Sequence, residues 1–342
     1  MKIAVQLVTW NGQLFLADCL SSLSNQTFQD WQIFIIDNNS TDRTPNIIHR
    51  WLDHHIAQYS FKTLPLNVGF APGHNLLLQS HDAPYVFILN QDVLLEPNYL
   101  YELICCLEAR RQSGSATGCL FRWESRHGQL IKTDILDSTG LEIYRTHRVV
   151  ERGRGEDSLL SDDVEEVFGV PATAALYRRV ALDETVLHTV NGREWFDNDF
   201  GSYKEDVDLA YRLQLLGWQS IYVPSARGYH YRGLRGAADT TTGFFTFDTW
   251  WQRRNKSASA NQLSYSNHLS FLFKSFAFAI FSLTWWATVL YESAKAVDLI
   301  FVEPRTFWYA WSKLFRIRRT LRMKRRMIFM KPYHPKNIKR FF

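Results

Sequence analysis

The chain has 342 residues, 46% of them apolar and 15% aromatic, with 12 Trp, which supplies a sizeable core and excludes wholesale disorder. The net charge of +5 is unevenly held: residues 305–342 carry 13 Lys/Arg and no acid, leaving residues 1–304 at −8, so the basic character belongs to the tail. Four cysteines without CxxC spacing argue against a zinc site, and MKIAVQLVTWNG passes directly into a strand-like run without the apolar region of a signal peptide.

Short apolar runs alternate with helical patterns through the first half. Residues 3–8 read as a strand broken by Asn11-Gly12, and Leu16, Leu20 and Leu23 mark a helix. Residues 31–36 form a second strand ending in DNNSTD, and a helix is expected from Thr44-Pro45, where proline suits a first turn. A third strand is placed at 61–66, a third helix around Leu76–Leu78 and a fourth strand at 85–89, YVFIL. Such alternation predicts a mostly parallel central sheet with helices on both faces. A loop or hairpin insertion is expected at 122–160, strand–turn–strand at 167–179, and a strand at 220–223 followed by a loop, PSARGYHYRG.

Polar residues cluster where the first four strands end: Thr9-Trp10-Asn11, Asp37-Asn38-Asn39, Asn67-Val68-Gly69 and Asn90-Gln91-Asp92. In open α/β sheets ligands bind beyond the carboxyl ends of the strands. The absence of GxGxxG after the first strand and of GxxxxGK[ST] argues against a dinucleotide or P-loop site. A polar, hydroxyl-rich or nucleotide ligand remains.

From Glu205 the chain reads as a helix with Leu209, Leu213 and Leu216 on one face. Asp206 falls on that apolar face, while Asp208 and Arg212 sit four apart on another and are expected to pair in solvent. An inward carboxylate at a helix start either caps backbone N–H groups or faces a cleft.

The motifs VTWN (8–11), IIDNNSTD (35–42), NVGFAPGHN (67–75), ILNQDVLL (88–95), GVPATAALYRR (169–179) and WFDNDFGSYKEDVDLAYR (195–212), with His230, resemble in this order glycosyltransferase family 2. The family comprises inverting nucleotide-sugar transferases of the GT-A fold. The resemblance covers about the first 235 residues and is strongest to bacterial rhamnosyltransferase-like members of cell-surface polysaccharide assembly. It implies nucleotide contacts by Thr9, Asn11, Asp37, Asn39, Asn67 and Gly69, although Asp37 also suits an Asx turn and Asn67–Gly69 an ordinary turn. It implies Mg²⁺ or Mn²⁺ held by Asp92 and His230, with Asn90 standing where many relatives carry the first acid of DxD. Asp206 corresponds to the general base, and Asn90, Gln91, Glu205 and Trp195 are candidate donor or acceptor contacts. The implied partners are a nucleotide-sugar donor, dTDP-rhamnose or a UDP-hexose, and a polyprenyl-linked or polysaccharide acceptor. A catalytically silent member that binds a glycan or lipid carrier is the alternative from another class.

The expected organisation is a GT-A domain at 1–235 and a helical, membrane-proximal region at 236–342. Acceptor choice is expected in 122–160 and 233–255. Residues 275–291 carry no charge in 17 positions; as a helix they span about 26 Å, short of a hydrocarbon core of about 30 Å. An in-plane or re-entrant helix with Trp285 and Trp286 at the interface is expected, the alternative being a helix packed on the catalytic domain. The tail would meet anionic headgroups on the cytoplasmic side, making the protein cytoplasmic and peripherally membrane-associated. No nucleic-acid partner is expected, because no recognised module accompanies the charge.

Overall fold

The computed structural model describes residues 1–54, 59–126, 129–157, 161–231, 257–276, 285–334 and 336–342. The first half alternates strictly: β1 (Ile3–Thr9), α1 (Leu16–Ser24), β2 (Trp31–Asp37), α2 (Thr44–His54), β3 (Tyr59–Thr63), α3 (Phe70–Leu78) and β4 (Tyr85–Leu89). The third strand thus begins two residues before the predicted one. β1 lies parallel to β2 and β4, with Ile3 opposite both Trp31 and Tyr85, and β2 is parallel to β3.

Alternate strand residues serve opposite faces, as the period of two requires. Val5, Leu7, Ile33, Ile35, Phe87 and Leu89 pack with Leu16 and Leu20 of α1 and Ile48 of α2. Ala4, Phe34 and Ile36 pack with Leu77 of α3, and Val86 and Ile88 with Ala71 and Leu78. Helices therefore cover both faces, and the strands read as unbroken apolar runs.

The second half extends the sheet. It comprises β5 (Val93–Leu95), α4 (Tyr99–Ala109), β6 (Ser113–Arg126), β7 (Gln129–Ser138), β8 (Leu141–Ile143), β9 (Val149–Glu151), β10 (Glu165–Val167), β11 (Ala174–Arg178), α5 (Arg179–Thr185), β12 (Leu187–Thr189), β13 (Gly192–Glu194), α6 (Glu205–Leu215) and β14 (Gln219–Tyr231). Among the described residues the main sheet runs β10-β14-β6-β11-β4-β1-β2-β3, with β7 joined to β6 as a hairpin and β5 to β14. β11 is antiparallel to β4 and β6, and β14 is parallel to β6.

β14 does not stop at Val223. Its register to β6 slips between Val223 and Arg227 and then resumes to Tyr231. Gly118 makes this possible, since a Cβ there would lie 2.0 Å from the Ala226 carbonyl oxygen. His230, expected on a loop, is consequently on a strand, opposite Val93 of β5 and beyond the carboxyl ends of β1–β4.

Among the described residues four helices follow: α7 (Ala258–Ser275), α8 (Trp285–Val302), α9 (Pro304–Met330) and α10 (Lys336–Lys339). Ser257 caps α7 by accepting the Ala260 N–H at 3.3 Å, and Pro304 opens α9. Phe271, Ile328 and Ile338 enter one apolar cluster with Val207, Tyr211 and Leu215 of α6. The uncharged run 275–291 is therefore divided: Ser275 ends α7, residues 277–284 lie outside the described residues, and Trp285–Tyr291 opens α8. No described helix is long and apolar enough to cross a membrane. The boundary near 235, the aromatic stretch 243–251 and the acceptor region 233–255 also lie outside the described residues.

Packing of α7 changes one expectation. Asp208 and Arg212 do form an ion pair, at 2.9 Å, but both are buried instead of solvated. The face of α6 assigned to solvent is covered by chain more than fifty residues later, with Lys274 of α7 lying 2.6 Å from Asp208.

Candidate active site

The strand-end clusters converge on one edge of the sheet. Thr9 is buried, and its hydroxyl donates to Gln91 Oε1, which also accepts the Trp10 N–H at 2.9 Å. Gln91 Nε2 donates back to the Trp10 carbonyl at 3.0 Å, so Gln91 ties the end of β4 to the end of β1. Asn11 (φ +48°) accepts the Thr41 N–H at 2.9 Å and joins the β1 and β2 loops. Asn39 is exposed at φ +64°, a conformation that asparagine tolerates.

Asp37 ends β2 fully buried. One oxygen accepts the Ser40 N–H at 3.3 Å, the Asx-like contact its sequence context allows. The other, Oδ1, has no hydrogen-bond partner among the described residues. A buried carboxylate oxygen left unpaired is costly and unusual, and it is open to a hydrogen-bond donor from a ligand.

Asn67 accepts the Gly69 N–H at 2.9 Å, so its side chain closes the local turn. Gly69 has φ +91°, and a Cβ there would meet the Gly201 carbonyl oxygen at 3.1 Å. Glycine is required by both conformation and proximity. Asn38 fastens this loop by accepting the Val68 N–H at 2.9 Å and donating to the Gly69 carbonyl at 3.1 Å.

The structure brings Asp92 and His230 together, with Asp92 Oδ1 and His230 Nε2 3.5 Å apart. Asp137 of β7, which no sequence signal singled out, takes the other ring nitrogen, Nδ1, at 2.7 Å. Burial opposes charge on His230, but the carboxylates of Asp92 and Asp137 outweigh it and raise its pKa to about 9. A carboxylate behind one ring nitrogen is also how metal-ligating histidines are oriented. Asn90 donates its N–H to the Thr173 carbonyl at 2.8 Å. No group of three or more His, Cys, Asp or Glu able to hold a metal occurs among the described residues. A cation here would draw further ligands from its substrate.

Every residue of α6 from Glu205 to Leu215 is buried except Asp206, which is partly exposed. Asp206 Oδ1 accepts the Val207 N–H at 2.8 Å, and no hydrogen bond engages Oδ2 among the described residues. Burial, then the charge of Glu151, raises its pKa above the ordinary carboxylate value. Glu205 turns inward, with Oε2 buried and unpaired, and burial together with the charge of Asp206 raises its pKa strongly. The loop before α6 leans on the start of α3 beside Gly69, where the Ala71 N–H donates to the Gly201 carbonyl at 2.8 Å.

Trp195 is not at the cleft surface. It is fully buried, its indole N–H donating to Asp183 Oδ1 at 2.8 Å near the start of β4, at the opposite edge of the sheet. What connects this segment to the cleft is Asn75 of α3, which accepts the Trp195 and Phe196 N–H groups at 3.0 Å each. The most exposed aromatic ring beside the strand ends is Trp10, half-exposed.

A family model described as glycosyl transferase family 2 matches residues 5–185, which include the strand ends from Thr9 to Asp92. The chain belongs to that family. Among curated members it is similar to rhamnosyltransferase WbbL of Escherichia coli, 32% identical over 157 residues, covering 44% of this chain and 53% of the relative. It is also similar to the N-acetylglucosaminyl-diphospho-decaprenol L-rhamnosyltransferase of Mycobacterium tuberculosis, 24% identical over 308 residues, covering 78% of this chain and 92% of the relative. The chain spans 31% and 53% of the lengths of two of the curated relatives it matches. A solved structure, GalNAc-T7 with UDP, GalNAc and Mn²⁺, shares the fold of this family 2 chain. Its TM-score is 0.59 at 11% identity, over 80% of this chain and 48% of that one.

Proposed function

We propose that this protein is an inverting glycosyltransferase that moves a hexose-class sugar from a nucleotide donor to an acceptor hydroxyl, with Asp206 as general base. The acceptor oxygen bonds to the anomeric carbon from the face opposite the diphosphate. The bond from that carbon to the diphosphate oxygen breaks, the diphosphate leaves with the electron pair, and the hydroxyl proton passes to Asp206. A positioned base of raised pKa favours this transfer. The observation that carries the reading is the lone partial exposure of Asp206 on an otherwise buried helix.

The nucleoside lies against Thr9–Asn11, Asp37–Asn39 and Asn67–Gly69, where the unpaired Asp37 oxygen accepts from base or ribose. Asn90, Gln91 and Glu205 border the sugar. Asp92 and His230, oriented by Asp137, suit Mg²⁺ or Mn²⁺, and such an ion supplies charge neutralisation to the departing diphosphate.

Rhamnose in the names of two relatives makes dTDP-rhamnose the first donor to test, and the decaprenyl diphosphate in one of them points to a polyprenyl-linked acceptor. A cytoplasmic, peripherally membrane-bound protein fits such an acceptor, residues 236–342 forming its membrane-proximal part. Trp308, Trp311, Phe315, Arg319, Arg322 and Arg326 lie exposed at three- and four-residue spacing along α9, an aromatic and basic stripe suited to anionic headgroups.

The test is nucleotide release from dTDP-rhamnose, UDP-glucose, UDP-N-acetylglucosamine and GDP-mannose, each with and without Mn²⁺. Metal-dependent release from dTDP-rhamnose is expected. Release from a UDP-hexose alone would move the donor assignment, and binding without release from any would favour a silent carrier-binding member.

A further inference from the structure

The loop that delivers Asp206 is strained and is held from outside. Gly201, Tyr203 and Lys204 have φ of +66°, +73° and +71°, so two residues that are not glycine adopt the left-handed region immediately before α6. Such conformations persist only where surrounding structure imposes them. The imposing group is Asn267 of α7, which is fully buried. Its Nδ2 donates to the carbonyls of Phe200, Ser202 and Tyr203, each at 2.8 Å. Two N–H groups serve three acceptors, so one is shared. Lys313 of α9 donates to Asn267 Oδ1 at 2.7 Å, which fixes the amide with its NH₂ toward the loop. On its other side the same loop receives the Ala71 and Phe70 N–H groups, at Gly201 O (2.8 Å) and Ser202 Oγ (3.3 Å).

We propose that Asn267, oriented by Lys313, is a positioning residue that sets the first turn of α6 and thereby aims Asp206 into the cleft. The C-terminal helices thus complete the catalytic unit as well as covering it. The proposal rests on the reading of Asp206 as base. Misplacement of a reacting group by about 1 Å costs about a hundredfold in rate, which sets the scale of the expected effect.

The full chain carrying Asn267→Ala, Asn267→Asp or Lys313→Met is compared with the wild type in two measurements. Hydrogen exchange needs no substrate: amides of 201–206 should exchange at least about tenfold faster in all three variants, with β1–β4 unchanged. Turnover of dTDP-rhamnose with Mn²⁺ should show kcat lowered about 10- to 100-fold in both Asn267 variants and less in Lys313→Met, with KM for the donor within about threefold. Unaltered exchange overturns the clamp. A loosened loop with unchanged kcat, or a kcat loss that only tracks the folded fraction, overturns the positioning role. Should Asn267→Ala not fold, Lys313→Met decides by the same readouts. Asp206→Asn, run alongside, separates the two claims: if it retains turnover the base reading fails, whereas its inactivity beside a fully active Asn267→Ala removes only the positioning role.

Discussion

Lys274 of α7 and Asp208 of α6 form an ion pair of 2.6 Å with neither side chain exposed, two residues along from Asp206. Lys274 also meets Asp197, and Lys324 of α9 meets Asp197, Glu194 (2.8 Å) and Asp199 (2.8 Å). The two lysines hold Asp197 ionised against its burial, lowering its pKa. Lys324, one of the 13 basic residues of the tail expected to meet anionic headgroups, is thus spent inside the molecule.

Removing one partner of such a group strands buried carboxylates. Lys274→Met should lower the free energy of unfolding by about 3–5 kcal/mol. Lys2→Met, which breaks an exposed pair with Glu108, should cost less than about 1 kcal/mol. Urea titration measures both, and equal losses would contradict the account.

Two buried histidines make stability depend on pH. Burial lowers the pKa of His74 and of His147 to about 3 from an ordinary 6.5, with the nearby His268 adding to the effect at His147. Below 6.5 the unfolded chain takes up protons that the folded chain refuses, so this stability is whole above 6.5 and drains away as pH falls toward 3. Each histidine contributes a slope of about 1.4 kcal/mol per pH unit within that window. Urea midpoints should fall steadily from pH 6.5 to 4.5, and less steeply in His74→Phe, which removes one of the two slopes and leaves that of His147. Midpoints that hold constant over that range would contradict it.

Much of this was legible from local pattern. YVFIL became β4 residue for residue, Thr44-Pro45 opened α2, and the polar groups after β1, β2 and β4 gathered on one edge. Periodicity reports what a segment does with its own apolar face. It could not show that Lys274 of α7 buries Asp208 while the Thr185 and Trp195 carbonyls take the guanidinium of Arg212, nor that Gly118 lets β14 run on to His230. Asp137 and Asn267 act through partners 93 and about 65 residues away, and neither belongs to a motif. Trp195 opens the WFDN segment of the motif that made it a candidate contact, yet its ring serves the core.

The arrangement behind Asp92 has a thermodynamic consequence. Asp92→Ala should abolish the Mn²⁺-dependent part of donor binding, and Asp137→Asn, which alters only the orienting partner of His230, should weaken it about 10- to 100-fold. Calorimetry with dTDP, with and without Mn²⁺, measures this. Unchanged affinity in Asp92→Ala would remove the metal role.

For the outer stripe of α9, basic residues near an anionic surface contribute about 1 kcal/mol each. Replacing Arg319, Arg322 and Arg326 by Gln should therefore weaken binding to phosphatidylglycerol vesicles roughly a hundredfold, without altering the buried Lys324. Flotation distinguishes the outcomes. A wild-type chain that stays with the soluble fraction would refute membrane association.

The most direct test of the whole account is single-residue. Asp206→Asn keeps the shape of the side chain and its acceptor for the Val207 N–H while removing the proton-accepting oxygen. Turnover of the donor should fall by about 10²- to 10⁴-fold, with calorimetric donor affinity close to wild type. Turnover within about tenfold of wild type would mean that another group takes the proton, and the assignment of this cleft would have to be abandoned.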